Sequence, residues 1–132
     1  MGIADAGRAV VSARLYGTGS AAYGAIGMGT STTAFSAAQT ALVTEVKADG
    51  TGASGVHAIP SGSVTASSVT TTVTNDTAQF VGTVACTATI AVTEAGLFNA
   101  DTNGTMLMRQ TFTAVNVVNG DSIQFTIKIK NA

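Results

Sequence analysis

The amino-acid sequence predicts a mainly β protein, an antiparallel β-sandwich or barrel preceded by a short N-terminal helix or arm, and two stretches carry most of that prediction. In the first, even positions run Phe80, Gly82, Val84, Cys86, Ala88, Ile90 and Val92, while Thr83, Thr87, Thr89 and Thr93 stand at odd ones. Successive side chains of a strand point to opposite faces, so the run has one apolar face and one threonine face. In the second, Ile123, Phe125, Ile127 and Ile129 alternate with Gln124, Thr126, Lys128 and Lys130. One dry and one wet face suits an antiparallel sheet better than a parallel one, whose strands are usually buried on both sides.

The other elements follow in chain order, with residues 1–17 expected as an N-terminal arm or helix and residues 18–132 as a single β-domain. Residues 4–16 place Ala6, Val10 and Ala13 at helical spacing, with Asp5 near the start where it favours the helix dipole. The segment is apolar on one side and carries two arginines, which marks Ile3, Arg8, Val10, Val11, Arg14, Leu15 and Tyr16 as candidates for contact with a partner. The glycine-rich stretch 17–33 holds a short apolar strand at residues 23–28 and then a loop. Residues 37–46 set Ala38, Leu42 and Val46 on one side of one or two helical turns. Turn signals crowd residues 49–62, a surface loop in which His57 faces solvent. The polar run 63–74 fits an edge strand or one exposed on both faces, and Asn75-Asp76 turns the chain into the alternating strand, expected over residues 78–93.

Glu94 then falls on the apolar parity of its strand. Either the face changes there, with Gly96 allowing a bulge, or the carboxylate points inward and needs a partner, for which Arg109 is the candidate. A loop at 99–104 and the Asn119-Gly120 turn separate the last strands, so residues 78–130 read as a meander.

Composition excludes several function classes. Charged residues make up 10% of the chain, the net charge is -1, and the six Lys and Arg are scattered, so the basic stripe that nucleic-acid binding needs is missing. No apolar run approaches membrane-spanning length and no secretory signal is visible, so synthesis and assembly in a cytoplasm, without a membrane partner, are expected. With one cysteine and one histidine, a zinc site would rest on Cys86 and His57 alone, so no metal is expected; Cys86 reads as a small buried hydrophobe. The GxG at Gly27-Met28-Gly29 lacks the lysine of a phosphate loop, so no cofactor is expected either. Glycoside hydrolysis needs paired carboxylates, for which only Glu94 and Glu45 qualify, and no catalytic residue is assigned. Aromatics are only 5%, so the core is built from small side chains that stabilise less per residue, which favours reliance on a partner surface or on oligomerisation.

Three pieces carry a family resemblance. Residues 3–9, IADAGRA, resemble an opening motif ITDAGRA. Residues 28–34, MGTSTTA, followed by Thr40-Ala41-Leu42 and Glu45, resemble a second block, and residues 93–100, 104–112 and 120–129 resemble a distinctive C-terminal one. Together they are similar to small bacteriophage structural proteins, some of them head decoration or cement proteins and others tail-fibre domains. The resemblance implies a jelly-roll or β-tulip-like domain that sits on the virion exterior and binds the major capsid protein. It would clamp neighbouring capsid subunits, as a homo-trimer, with Arg8 and Arg14 paired to acidic groups of the shell. The alternative it implies is a tail or tail-fibre module.

Overall fold

The computed structural model describes residues 2–8 and 22–130. Its strands are β1 (Gly2–Ile3), β2 (Ala25–Gly29), β3 (Glu45–Val46), β4 (Val64–Val69), β5 (Thr77–Ala85), β6 (Ile90–Phe98), β7 (Met106–Val117) and β8 (Ser122–Lys130). Two sheets form, one ordered β1-β7-β6-β2-β3 and the other β4-β5-β8, with every pairing antiparallel. They face each other as a sandwich and do not close into a barrel. The interior is shared by both sheets: Ile26, Met28, Val92 and Leu97 of the larger meet Phe80, Val84, Phe125 and Ile127 of the smaller in one apolar cluster. Of the residues whose alternation predicts a core, Phe80, Val84, Ile90, Ile123, Phe125 and Ile127 are buried; Phe112, also expected in the core, is half-buried.

The stretch expected as one strand over residues 78–93 is two strands in different sheets. The chain leaves β5 at Ala85, crosses through residues 86–89 and enters β6 at Ile90, so residues 78–130 are not a meander: β5 pairs with β8, and β6 with β7. Alternation could not reveal this, because both strands turn the same parity toward the same interior. Phe80, Val84, Cys86, Ile90 and Val92 are all buried while Thr83, Thr87 and Thr89 are exposed, straight through the corner. The β7–β8 connection crosses beside it and the two corners are tied together, Cys86 N–H donating to the Asp121 carbonyl at 2.7 Å and Gly120 N–H to the Cys86 carbonyl at 2.9 Å. Gly120 turns this corner at φ 97°, a conformation that glycine adopts without a Cβ clash.

Residues 37–46 hold no helix. Leu42 and Val46 are buried as expected, but the amides of Val43 and Thr44 donate to the Glu94 carboxylate, so a side chain takes N–H groups that a helix would aim at carbonyls four residues back. The polar run contains β4, which among the described residues pairs only with β5 and exposes most of its side chains, as an edge strand does. Asn75 stands at φ 59° in the turn before β5, and Asn103 and Gly104, at φ 55° and 74°, turn the β6–β7 loop.

The N-terminus is tied into the sheet. Gly2 pairs with Arg109 and Ile3 with Met108, so the boundary expected after residue 17 falls after a strand of the β-domain itself. Residues 5–8 are helical, opened by the Arg8 N–H donating to the Ala4 carbonyl at 3.0 Å. Gly7 lies so close to β7 that a Cβ there would stand 2.6 Å from Leu107 Cα. Ile3 is half-buried and Arg8 exposed, while Val10, Val11, Arg14, Leu15 and Tyr16 lie outside the described residues.

Candidate functional site

Three features of the sandwich concentrate the chemistry: an acid–base pair between β6 and β7, a histidine clamp at one end, and an apolar cleft along one side.

The pair forms because the β6–β7 register shifts between Val92 and Glu94. Thr93, within the shift, and Glu94 are both buried, so an irregularity and an inward carboxylate occur together, but the irregularity precedes Glu94 and Gly96, where the sequence suggested a bulge, pairs regularly with Arg109. Arg109 Nε donates to Glu94 Oε1 at 2.9 Å, and both side chains are fully buried. The same carboxylate accepts the amides of Val43 at 2.9 Å, Thr44 at 3.0 Å and Ser31 at 3.0 Å. A carboxylate offers roughly four lone-pair sites, and all are used here. The Thr93 hydroxyl adds a bond to the Ser31 carbonyl at 2.9 Å. Glu94 is thereby the peg on which the 30–44 segment hangs, and it retains no free lone pair with which to take a proton from a substrate. Gly29 belongs to the same packing, since a Cβ there would stand 2.7 Å from Glu94 Oε2.

His57, expected to face solvent, is buried, with 4% of its surface exposed. Its Nδ1 lies 2.6 Å from Glu45 Oε1, its Nε2 2.8 Å from the Asn103 carbonyl oxygen, and its ring stacks on Phe98 with centroids 3.7 Å apart. Glu45 sits on β3 and Asn103 in the β6–β7 loop, 12 and 46 residues from His57 in the chain, so the clamp joins three separate segments. No local spacing announced the clamp. Among the described residues no group of three His, Cys, Asp or Glu side chains could hold a metal ion, and no helix is long and apolar enough to cross a membrane.

The cleft, about 520 Å³, opens between β7 and β8. Met108, Phe112, Val115, Ile123, Phe125 and Ile127 line it, with Gln110, Gln124 and Lys128 among its polar groups and no carboxylate. Two strand edges border it. Among the described residues β8 pairs only with β5, and β7 has no outer partner beyond Arg109. Residues 110–117 of that edge contain no charge, proline or glycine. Charges and prolines are part of the usual protection of a sheet edge against an added strand, and this edge has neither, its irregularity being the register shift that places Thr111 and Val115 opposite Glu94 and Val92. The alternation identified Ile123, Phe125 and Ile127 as core; that the two sheets part along them depends on which strands end up at the sheet edges, which alternation does not encode.

Comparison with protein-family models, with curated proteins and with solved structures finds no match for this chain.

Proposed function

We propose that the protein is a structural component of a bacteriophage virion, a decoration protein that binds the outer capsid surface as a trimer and clamps neighbouring capsid subunits. The observation that carries this reading is the cleft between β7 and β8, an apolar surface bordered by two strand edges that have no partner there among the described residues. A surface of this kind recognises a partner through main-chain hydrogen bonds and apolar pockets at alternating positions of an added strand. The occupant is an extended segment of the capsid subunit with acidic flanks, since the cleft carries Lys128 and no carboxylate and Lys130 lies just beyond it. Arg8, exposed beyond β1, adds positive charge toward the shell. The buried ionisable groups support a structural role too, because Glu94 and His57 are spent on holding loops. The three sequence blocks that resemble phage virion proteins supply the identity of the partner.

Binding of the purified protein to undecorated capsids tests this. Val115, 42% exposed at the cleft, can be replaced by lysine without disturbing the core, and Val73, 66% exposed in the loop before β5, serves as the matched control. Val115→Lys is expected to weaken capsid binding at least about tenfold, the effect of losing roughly 1.4 kcal/mol at a contact, while Val73→Lys binds normally. Equal binding by both variants would remove the cleft from the interface.

A further inference from the structure

The only histidine of the chain sits where a neutral ring cannot satisfy its neighbours. Glu45 Oε1 at 2.6 Å and the Asn103 carbonyl oxygen at 2.8 Å are both acceptors, so each ring nitrogen must donate, and only the imidazolium carries both protons. Either neutral tautomer would turn a lone pair toward an oxygen at hydrogen-bonding distance. The charged groups facing the ring are Glu45, from β3, and Asp101, from the β6–β7 loop, whose Oδ1 also accepts the Ser61 amide at 2.7 Å; Phe98 of β6 contributes only its ring face.

We propose that doubly protonated His57 is a latch, closing one end of the sandwich by holding the 99–104 loop against the 53–59 loop and β3, and releasing that end when it loses a proton. Among the described residues the 99–104 loop is otherwise tied to the 53–59 loop by the His57 amide to the Asp101 carbonyl at 3.1 Å, the Asn103 amide to the Gly55 carbonyl at 2.7 Å and the bridge between Val56 and Thr102, and the 53–59 loop to β3 by the Ala53 amide to the Glu45 carbonyl at 3.1 Å. Ser54 and Asn103 stand at φ 50° and 55°, a region that non-glycine residues seldom adopt, so each loop holds one residue in a conformation that an unrestrained chain would leave readily. Burial opposes the charge on the ring, but the hydrogen bonds to Glu45 and Asn103 outweigh it and raise the pKa above its ordinary 6.5. For a group whose folded pKa is raised, the stabilisation is complete below the unfolded value and is lost as pH rises through the folded one. Release is therefore alkaline.

The test is NMR on the wild-type chain, in which a single imidazole gives unambiguous signals. The ¹⁵N shifts of the ring are followed between pH 5 and 9 together with amide exchange at Asn103 and, as a reference in the sheet, at Leu97. Both ring nitrogens should be protonated at pH 6, with the transition above 6.5. Across it, after correction for the intrinsic rate, protection at Asn103 should fall about tenfold, the ratio that one charge-assisted hydrogen bond supports, while Leu97 is unchanged. Glu45→Gln, which removes the facing charge, should move the transition down. A ring that is neutral at pH 6, or Asn103 protection that is indifferent to the transition, would overturn the latch.

Discussion

Glu94→Ala should destabilise the protein by about 3–5 kcal/mol in urea denaturation, a large share of the roughly 5–15 kcal/mol that holds a domain of this size together. The substitution strands the Arg109 guanidinium in a fully buried position and removes the acceptor for the amides of Ser31, Val43 and Thr44. These two losses can be separated. Arg109→Met removes the charge and keeps much of the apolar volume, so Glu94→Ala with Arg109→Met should recover the cost of the stranded guanidinium and leave the cost of three orphaned amides. A buried ion pair alone can often be exchanged for apolar residues with little penalty. Here the double variant should remain well below wild type, because the carboxylate also organises the 30–44 segment. The cycle should return a coupling of about 0.5–3 kcal/mol between the two sites. Additivity of the two single effects would mean that the side chains do not act on each other.

Phe125→Ala is expected to cost about 3 kcal/mol, near the lower end of the range for a buried phenylalanine, because the space vacated adjoins the cleft and is not sealed. Phe125 is 8% exposed on β8, paired opposite Gly82 of β5. Phe112, on the far wall and only half-buried, should lose about half as much on truncation, in proportion to the apolar area it keeps from water. The two midpoints, measured under one condition, give the comparison. Equal losses would mean that the two walls close on each other in solution and that the cleft is filled.

The parts of this fold that were legible in the sequence are those fixed by a single strand's own alternation. Ile123, Phe125 and Ile127 face inward because their parity allows nothing else. The sequence also marked Glu94 as a misfit, since a charge on the apolar parity demands either a bulge or a partner, and the chain supplies both. What alternation leaves open is which sheet a strand joins. The corner at residues 86–89 keeps its inward row, so two strands in two sheets look like one long strand. The helical spacing at 37–46 was real as a pattern of burial, with Leu42 and Val46 inside, but the Glu94 carboxylate, about fifty residues away in the chain, captures the amides that a helix would have used. His57 was illegible for the same reason: its partners Glu45 and Asn103 are brought to it only by the assembled end of the sandwich. The apolar character of the N-terminal segment pointed to a contact, and for its first residues that contact is the chain's own β7.

The proposal of a shell-binding virion protein is tested most directly by stoichiometry. On this proposal, phage particles produced with this chain, purified, separated on a denaturing gel and quantified against the major capsid protein, should contain it in comparable molar amount, because a protein that clamps capsid subunits over the whole shell is needed at repeating positions. A few copies per particle would move it to the tail or a tail fibre, and its absence from purified particles would contradict a place in the virion.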